Sequence, residues 1–239
     1  MYLHNRVVLV TGGAKRVGRV IAEALAARGA HVVITYRTSA QDAKETLKHL
    51  GPHALAVKVD VSRRADVERL MNTVRKRFRR LDVLVNCAAN FDRVPFARLT
   101  ERDWDRAIDT NLKGPFLCSL YGSRLMRYSG KIINIADWAG VRPYRDYLPY
   151  CVSKAAVIGL TKTLAKELAP KIQVVAIAPG PMLPPADFTA ADRARVARRV
   201  PLQRWGSPQD IANTVLFLIE GTDFMTGSTI FVDGGQLIA

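Results

Sequence analysis

The stretch VVLVTGGAKRVGRVIAEAL, residues 7–25, decides the fold, because it joins a short apolar run, a glycine turn and an amphipathic run. This pattern predicts a strand, a tight turn and a helix. Gly12 permits the turn, and Gly18 lets the helix pack close to the strand. Backbone amides at the start of such a helix face a pyrophosphate. The spacing differs from G-x-G-x-x-G, and a purely structural turn is the alternative. The position between the first strand and a helix favours a dinucleotide site that includes Val17.

The rest of the chain repeats this pattern, with short apolar runs between amphipathic stretches. The apolar runs lack strict alternation, as expected for strands covered on both faces. We therefore predict a single α/β domain over residues 1–239: a Rossmann-like, doubly wound parallel sheet with helices on both faces. Two segments break the alternation, residues 91–104 and 181–204. Each follows a predicted strand, where open α/β sheets bind ligands, so 181–204 is predicted to be a substrate loop.

The composition limits the class of protein. No apolar run reaches the roughly 18–20 residues of a membrane span, and 49% hydrophobic residues is ordinary for a globular chain. Three cysteines, Cys87, Cys118 and Cys151, lack metal-ligand spacing, which indicates free thiols in a reducing cytoplasm and no metal site.

The net charge is +15, much of it in RKRFRR (75–80) and RARVARR (193–199). We interpret it as a solvated arginine-rich surface; the alternatives are steering of an anionic cofactor or substrate, and contact with nucleic acid. No nucleic-acid-binding signature accompanies the charge, so nucleic acid is not an expected partner.

The end of the second predicted strand indicates which dinucleotide binds. NAD-binding proteins tend to carry an acidic residue there, which accepts hydrogen bonds from the ribose hydroxyls. This chain has none at that tip. An arginine beside two hydroxyl side chains suits a 2′-phosphate, and two basic residues of the first turn add positive charge, so we predict NADP. The residues concerned are Tyr36, Arg37, Thr38 and Ser39, with Lys15 and Arg16.

Asp60 ends the third predicted strand and is a candidate acceptor for the adenine amine, with Val61 beside it. The alternative is that Asp60 caps the helix predicted from SRRADVERL.

Three residues are candidates for the chemistry. Tyr150 and Lys154, in YCVSK, lie on one face of a helix because they are four positions apart. A tyrosine titrates near 10, and a neighbouring cation lowers that pKa, which would suit an acid–base catalyst. This spacing also occurs by chance in many helices. Asp137 follows the apolar run KIINI, where a carboxylate is costly to desolvate unless it is used.

Taken in order, TGGAKRVG, NCAA, TNLKGPF, INIADWAG, YCVSK, APG and TGSTIFVDGG resemble the short-chain dehydrogenase/reductase family over essentially the whole chain. The resemblance implies that Tyr150 is the acid–base residue and that Lys154 tunes it and holds the nicotinamide ribose. It implies that Asn111 anchors a proton-relaying water, and that the protein is a homotetramer. It also implies contacts to the adenosine and the nicotinamide, from Asn86, Ala88, Pro179 and Gly180.

The departures from the family pattern are specific. Arg16 stands where a third glycine is usual, Cys87 replaces an asparagine, and PMLPP follows Gly180 without the usual threonine. Asp137 stands where the family has its catalytic serine. One branch, the pteridine reductases, is similar in carrying an aspartate there and an arginine in the glycine turn. YRTSA resembles that branch's NADP-phosphate loop, and Phe91 falls where that branch stacks a phenylalanine on the pterin ring.

The predicted function is therefore NADPH-dependent reduction of a dihydropterin or dihydrofolate-type substrate. Arg16, Phe91, Asp137 and Tyr150 are its predicted substrate contacts, and Asp137, with a raised pKa, would share a proton with Tyr150. One alternative is a carbonyl reductase, such as a β-ketoacyl carrier-protein reductase. The other is a catalytically silent NADP-binding regulator, against which the intact Asn111, Tyr150 and Lys154 argue.

Overall fold

One parallel sheet organises the computed structural model, which describes residues 1–184 and 188–239. Within these residues the sheet has seven strands in the order β3-β2-β1-β4-β5-β6-β7. The strands are β1 Val7–Thr11, β2 His31–Tyr36, β3 Leu55–Lys58, β4 Val83–Asn86, β5 Gly130–Ile135, β6 Ile172–Pro179 and β7 Thr229–Val232.

Helices cover both faces of the sheet. On one face, buried side chains of α1, α2 and α8 pack in a cluster with Val8 and Ile34; on the other, side chains of α3, α5 and α6 pack with Leu9 and Leu84. The helices are α1 Arg16–Ala27, α2 Ala40–Leu47, α3 Arg64–Phe78, α4 Glu101–Ile108, α5 Gly114–Gly122, α6 Leu148–Leu168, α7 Ala190–Arg199 and α8 Pro208–Leu216. The predicted doubly wound α/β fold is confirmed.

Burial on both faces explains why apolar and polar residues do not alternate along the central strands. Every residue of β1 and β4 is buried, whereas the edge strands β3 and β7 are half exposed. A strand with helices on both faces has two apolar faces, so its sequence reads as a continuous apolar run.

The register of the central strands positions the site. Thr11 at the end of β1 pairs with Asn86 at the end of β4, and Asn86 pairs with Asn134 of β5. The chain order reverses between β1 and β4, which is where a parallel sheet opens a crevice for a ligand. The loops that follow these three strands therefore begin at one level around that crevice.

The two segments outside the alternation are partly helical. Residues 91–104 include a 3₁₀ turn, Phe96–Arg98, and the start of α4. Residues 181–204, predicted as a loop, contain α7, whose N-terminus is closed by a reciprocal Thr189–Asp192 capping box. Residues 185–187 of this segment lie outside the described residues. Within the described part of the chain, no helix combines the length and the apolar character needed to cross a membrane.

Two glycine substitutions test the close packing of the first turn. A Cβ on Gly18 would lie 2.4 Å from the carbonyl oxygen of Gly12, whereas a Cβ on Gly159, in α6, would meet nothing within 4 Å. We expect Gly18→Ala to lower the free energy of unfolding by roughly 1–3 kcal/mol, the usual cost of overpacking. Gly159→Ala should raise it by about 1 kcal/mol, the helix-propensity difference. Urea unfolding of both variants measures this, and equal effects would contradict the packing argument.

Candidate active site

Asp137 and Tyr150 form a hydrogen-bonded pair beyond the carboxyl end of β5. One carboxylate oxygen of Asp137 accepts from the backbone N–H of Ala139, at 2.8 Å, which fixes the carboxylate at the start of a 3₁₀ turn. The other oxygen accepts from the hydroxyl of Tyr150, at 2.7 Å. Tyr150 lies in the first turn of α6, so the strand end and the helix start together set the geometry of the pair.

Both members of the pair hold their protons strongly. Burial raises the pKa of Asp137, opposed by the hydrogen bonds from Tyr150 and Ala139 and by the charge of Lys154. Burial, followed by the negative charge of Asp137, raises the pKa of Tyr150 well above its ordinary value. The protons of two such coupled groups belong to the pair. The pKa of Asp137 is thus raised, in the direction predicted.

The expectation that Lys154 lowers the pKa of Tyr150 is wrong for this arrangement. The ammonium of Lys154 donates to the carbonyl oxygen of Ile135, at 2.7 Å, and lies 5.7 Å from the centre of the Tyr150 ring. Burial, followed by the charge of Asp137, whose carboxylate accepts from the phenol, raises the pKa of Tyr150 instead. Burial lowers the pKa of Lys154, and the nearby Asp137 opposes that shift.

Asn111 fastens the loop after β4 to the helix that carries Tyr150. It lies in a π-helical turn, Asp109–Lys113. Its side-chain oxygen accepts from the backbone N–H of Asn90, at 2.9 Å, and its amide nitrogen donates to the Asn90 carbonyl and to the Ser153 hydroxyl, both at 3.1 Å. Both amide hydrogens have acceptors, so the structure gives Asn111 a positioning role. The relay water stays a prediction.

Aromatic side chains surround the pair. Phe91 stacks on Tyr147, with ring centres 4.5 Å apart, and meets Tyr150 edge-on, at 4.6 Å. Trp138 donates from its indole nitrogen to the hydroxyl of Tyr144. Phe91 is 51% exposed, so part of its ring remains open to the cleft. The sequence analysis missed Trp138, Tyr144 and Tyr147; tyrosines at intervals of three, ending at Tyr150, were the available signal.

The first turn fits a diphosphate. Gly12 has a φ of +66°, and a Cβ there would lie 2.9 Å from the Cα of Ala88. The start of α1 has no side-chain cap and no acidic residue in its first turn, while Lys15 and Arg16 are exposed beside it. Free amides and basic side chains at the positive end of a helix dipole are an unfavourable combination unless an anion binds there. This is the observation that supports a phosphate group of a cofactor.

Arg16 adopts a backbone conformation that suits glycine. Its φ is +54°, at the position where the family usually has a third glycine. An L-residue other than glycine loses about 1–2 kcal/mol in this region. The turn therefore keeps its shape at a cost in stability, and it gains an exposed guanidinium next to the helix start.

The end of β2 gathers the residues predicted to select the cofactor. Tyr36 ends the strand; Arg37 and Thr38 are exposed, and Ser39 is half buried. Arg37 lies 3.9 Å from the carboxylate of Asp60. Asp60 itself accepts from the backbone and hydroxyl of Ser62. The helix α3 begins at Arg64 with Arg63 at its N-cap, so the interpretation of Asp60 as that cap is wrong.

The remaining residues near the predicted cofactor site lie partly at the cleft and partly in the protein interior. Thr11, which the sequence analysis missed, accepts from the backbone N–H groups of Cys87 and Ala88 and so holds the end of β4 against β1. The side chain of Asn86 is buried and donates to Ser119 and Asn134, so it faces the interior. Val61 is buried and Val17 half buried. Pro179 ends β6, and Gly180 lies so close to Asp233 that a Cβ would be 2.6 Å from its Cα.

Comparisons with known proteins agree with this geometry. The structure of a doubly substituted Serratia marcescens short-chain dehydrogenase/reductase matches with a TM-score of 0.93 and 30% identity, covering 100% of both chains. Residues 12–236 match a family model described as enoyl-(acyl carrier protein) reductase. The chain belongs to the short-chain dehydrogenase/reductase family. It is therefore an enzyme of the oxidoreductase class, as predicted, and the silent-regulator alternative loses its support.

Two relatives within the family are named for activity on different substrates. The chain is 39% identical over 252 residues to 3-oxoacyl-[acyl-carrier-protein] reductase of Synechocystis sp., covering 99% of this chain and 98% of that protein. It is 38% identical over 254 residues to galactitol 2-dehydrogenase of Agrobacterium fabrum, covering 99% of each. Identity at this level shows the short-chain dehydrogenase/reductase family. The substrate has to be argued from the site.

The raised pKa of Asp137 predicts a pH-dependent cost in stability. The folded protein binds this proton more tightly than the unfolded chain, so Asp137 destabilises the fold increasingly above the ordinary aspartate pKa of about 4. Asp137→Asn cannot titrate. Its free energy of unfolding relative to wild type should therefore rise between about pH 4 and 8. Urea unfolding across that range measures the difference. A flat profile for Asp137→Asn would contradict the raised pKa of Asp137.

Proposed function

We propose that the protein is an NADPH-dependent reductase of a C=N bond in a flat, N–H-bearing heterocycle of the dihydropterin type. The observation that carries this proposal is the 2.7 Å hydrogen bond between the buried Asp137 and Tyr150. It places a carboxyl group where the family has a serine hydroxyl, beside the acid–base tyrosine.

A carboxyl group and a hydroxyl group suit different substrates. A ketone presents one oxygen, which needs a hydrogen-bond donor. An aminopyrimidine edge presents N–H donors as well as ring nitrogens, and a carboxyl group can accept from the former and protonate the latter. Each oxygen of Asp137 accepts one hydrogen bond, from Ala139 and from Tyr150, and keeps a second lone pair that a substrate N–H can use. Its raised pKa favours the protonated form that can donate to a ring nitrogen.

The residues of the site divide the work of the reaction. When bound, the reduced nicotinamide supplies the hydride and is itself oxidised. Asp137 and Tyr150 deliver the proton to the ring nitrogen next to the carbon that receives the hydride, so that C=N becomes CH–NH. Lys154, buried and hydrogen-bonded to the Ile135 carbonyl at the end of β5, lowers the pKa of Asp137 by its charge and so favours release of the proton.

The aromatic group supports a planar substrate. Phe91 lies against Tyr150 and remains 51% exposed, so a flat ring entering the cleft meets an aromatic face beside the proton donor. Offset stacking of aromatic rings contributes about 0.5–1.5 kcal/mol beyond the buried area. Tyr147, stacked behind Phe91, supports that face.

A second candidate function is reduction of a 3-oxoacyl thioester, and the comparisons favour it over the pterin proposal. The Synechocystis relative is named for that activity. The Asp137–Tyr150 pair is compatible with a ketone if the carboxyl group is protonated, which its raised pKa promotes. Both candidate functions require Asp137 to be protonated. Only the first also requires Asp137 to accept hydrogen bonds from N–H groups of the substrate.

The choice of NADPH is supported by charge at the end of β2. Arg37 is exposed and beside two hydroxyl residues; one oxygen of Asp60 lies 3.9 Å from it and the other accepts from Ser62, so the guanidinium keeps N–H groups for a phosphate. Lys15 and Arg16 add two positive charges at the start of α1. We also propose that the protein is a homotetramer and that it is located in the cytoplasm.

Parallel assays separate the two substrate classes. NADPH oxidation is followed by absorbance with a dihydropterin and with an acetoacetyl thioester, for the wild type and for Asp137→Ser. We expect pterin turnover in the wild type and its loss by about 10²–10⁴-fold in Asp137→Ser, the size of a general-acid contribution.

Asp92→Asn serves as the control in these assays, because it removes a carboxylate beside Phe91 that makes no bond to Tyr150. It should retain pterin turnover. Thioester turnover without pterin turnover in the wild type would overturn the pterin proposal in favour of the second candidate.

Cofactor preference is tested at Arg37. Arg37→Gln should raise the dissociation constant of NADPH about 10-fold or more, because hydrogen bonds to charged groups contribute roughly 1.5–3 kcal/mol. The dissociation constant of NADH should stay unchanged, since it lacks the 2′-phosphate. Arg19→Gln is the matched control: Arg19 lies on α1 and is paired with Glu23, at 2.7 Å. Equal weakening of both cofactors by Arg37→Gln would show that the arginine does not read the phosphate.

A further inference from the structure

A second cleft lies at the amino ends of β1, β4 and β5, the edge of the sheet opposite to Asp137. Its volume is about 270 Å³. Four arginines and two aromatic residues line it, together with one acidic residue. The lining residues are Arg6, Phe78, Arg79, Arg80, Leu81, Asp82, Arg127, Tyr128 and Ser129.

A buried carboxylate orders two of the arginines. Asp82 is 2% exposed, and one of its oxygens accepts from the backbone N–H of Val7, at 2.9 Å. The other accepts from Arg6, at 3.2 Å, and from Arg80. Each guanidinium keeps further N–H groups, so the carboxylate fixes both arginines without using all their donors. Fixed guanidinium forks match the geometry of a phosphate.

The other two arginines leave the cleft with an excess of positive charge. Among the described residues, neither Arg79 nor Arg127 lies within ion-pair distance of a carboxylate. Four guanidinium groups thus face one carboxylate. Arg79 follows the last residue of α3 and has a φ of +60°, and an arginine at a helix C-terminus also stabilises the helix dipole. Stabilising the helix dipole does not require a cleft or aromatic residues beside the arginine, so it does not account for the lining of this cleft.

The aromatic residues indicate a planar group on the ligand. Tyr128 is 89% exposed, and Phe78 is half buried with the guanidinium of Arg77 5.8 Å from its ring centre. We propose that this cleft binds a small phosphorylated ligand with a planar ring, of mononucleotide chemistry. The cleft is near the lower limit of small-molecule sites, about 300 Å³, which favours a mononucleotide over a polymer.

The proposal is tested by calorimetric titration of the full chain with AMP, adenosine and ribose 5-phosphate, in the presence of saturating NADP⁺ to fill the adenosine site of the active centre. We expect AMP to bind with a dissociation constant below about 1 mM, adenosine not to bind, and ribose 5-phosphate to bind more weakly than AMP. Tyr128→Ala should remove the difference between AMP and ribose 5-phosphate.

Charge variants localise the binding. Arg127→Gln and Arg79→Gly should each weaken AMP about 10-fold, as loss of one charged hydrogen bond does; glycine suits the backbone at position 79, so folding is preserved. Arg102→Gln, an exposed arginine on α4, is the charge-matched control and should have no effect.

Three results would overturn the proposal. The first is no AMP binding up to about 1 mM. The second is that Arg102→Gln weakens AMP binding as much as Arg127→Gln and Arg79→Gly do, which would indicate nonspecific attraction to a basic protein. The third is much tighter binding of a short single-stranded DNA, lost in the same variants, which would make the ligand a nucleic acid. None of these results depends on which substrate the active site reduces, so the proposed function is tested separately.

Discussion

The backbone of the first turn touches the backbone at the end of β4, and the crevice is built around that contact. A side chain on Gly12 would lie 2.9 Å from the Cα of Ala88, and one on Gly18 would lie 2.4 Å from the carbonyl of Gly12. These contacts bring the start of α1 beside the loop that carries Phe91. Main-chain packing therefore fixes the predicted cofactor residues of the first turn relative to the predicted substrate residue Phe91.

On this scaffold the family's chemistry can be altered by replacing a single polar side chain. Asp137 occupies the strand end and keeps the bond to Tyr150 that closes the site. The carboxyl group brings a titrating proton into a buried position, which the hydroxyl of a serine does not. Its cost is compensated locally, by the Ala139 N–H and the charge of Lys154. Under the proposed function, an aspartate at this position would change what the site can accept from a substrate while the fold stays that of the family.

The doubly wound fold could be predicted from the sequence because it depends on local patterns, and the catalytic roles assigned to Tyr150 and Lys154 stay predictions. Apolar runs without alternation imply strands covered on both faces, and Tyr150 with Lys154 follows from helical spacing. The direction of the Tyr150 pKa could not be predicted, since it depends on burial and on a carboxylate thirteen positions away. The alternative that Asp60 caps α3 was wrong for a related reason: several polar residues follow β3, and only the backbone path decides that Arg63 occupies the N-cap position. The stack of Tyr147 on Phe91 joins two loops and leaves no local signature.

The strained backbone at Arg16 has a genetic consequence. Every arginine codon is one base change away from a glycine codon, and glycine would relax the left-handed conformation at this position. A mutational route to a more stable turn is therefore always open. The same base change would remove one positive charge beside the start of α1, so the more stable turn would also be a less basic one.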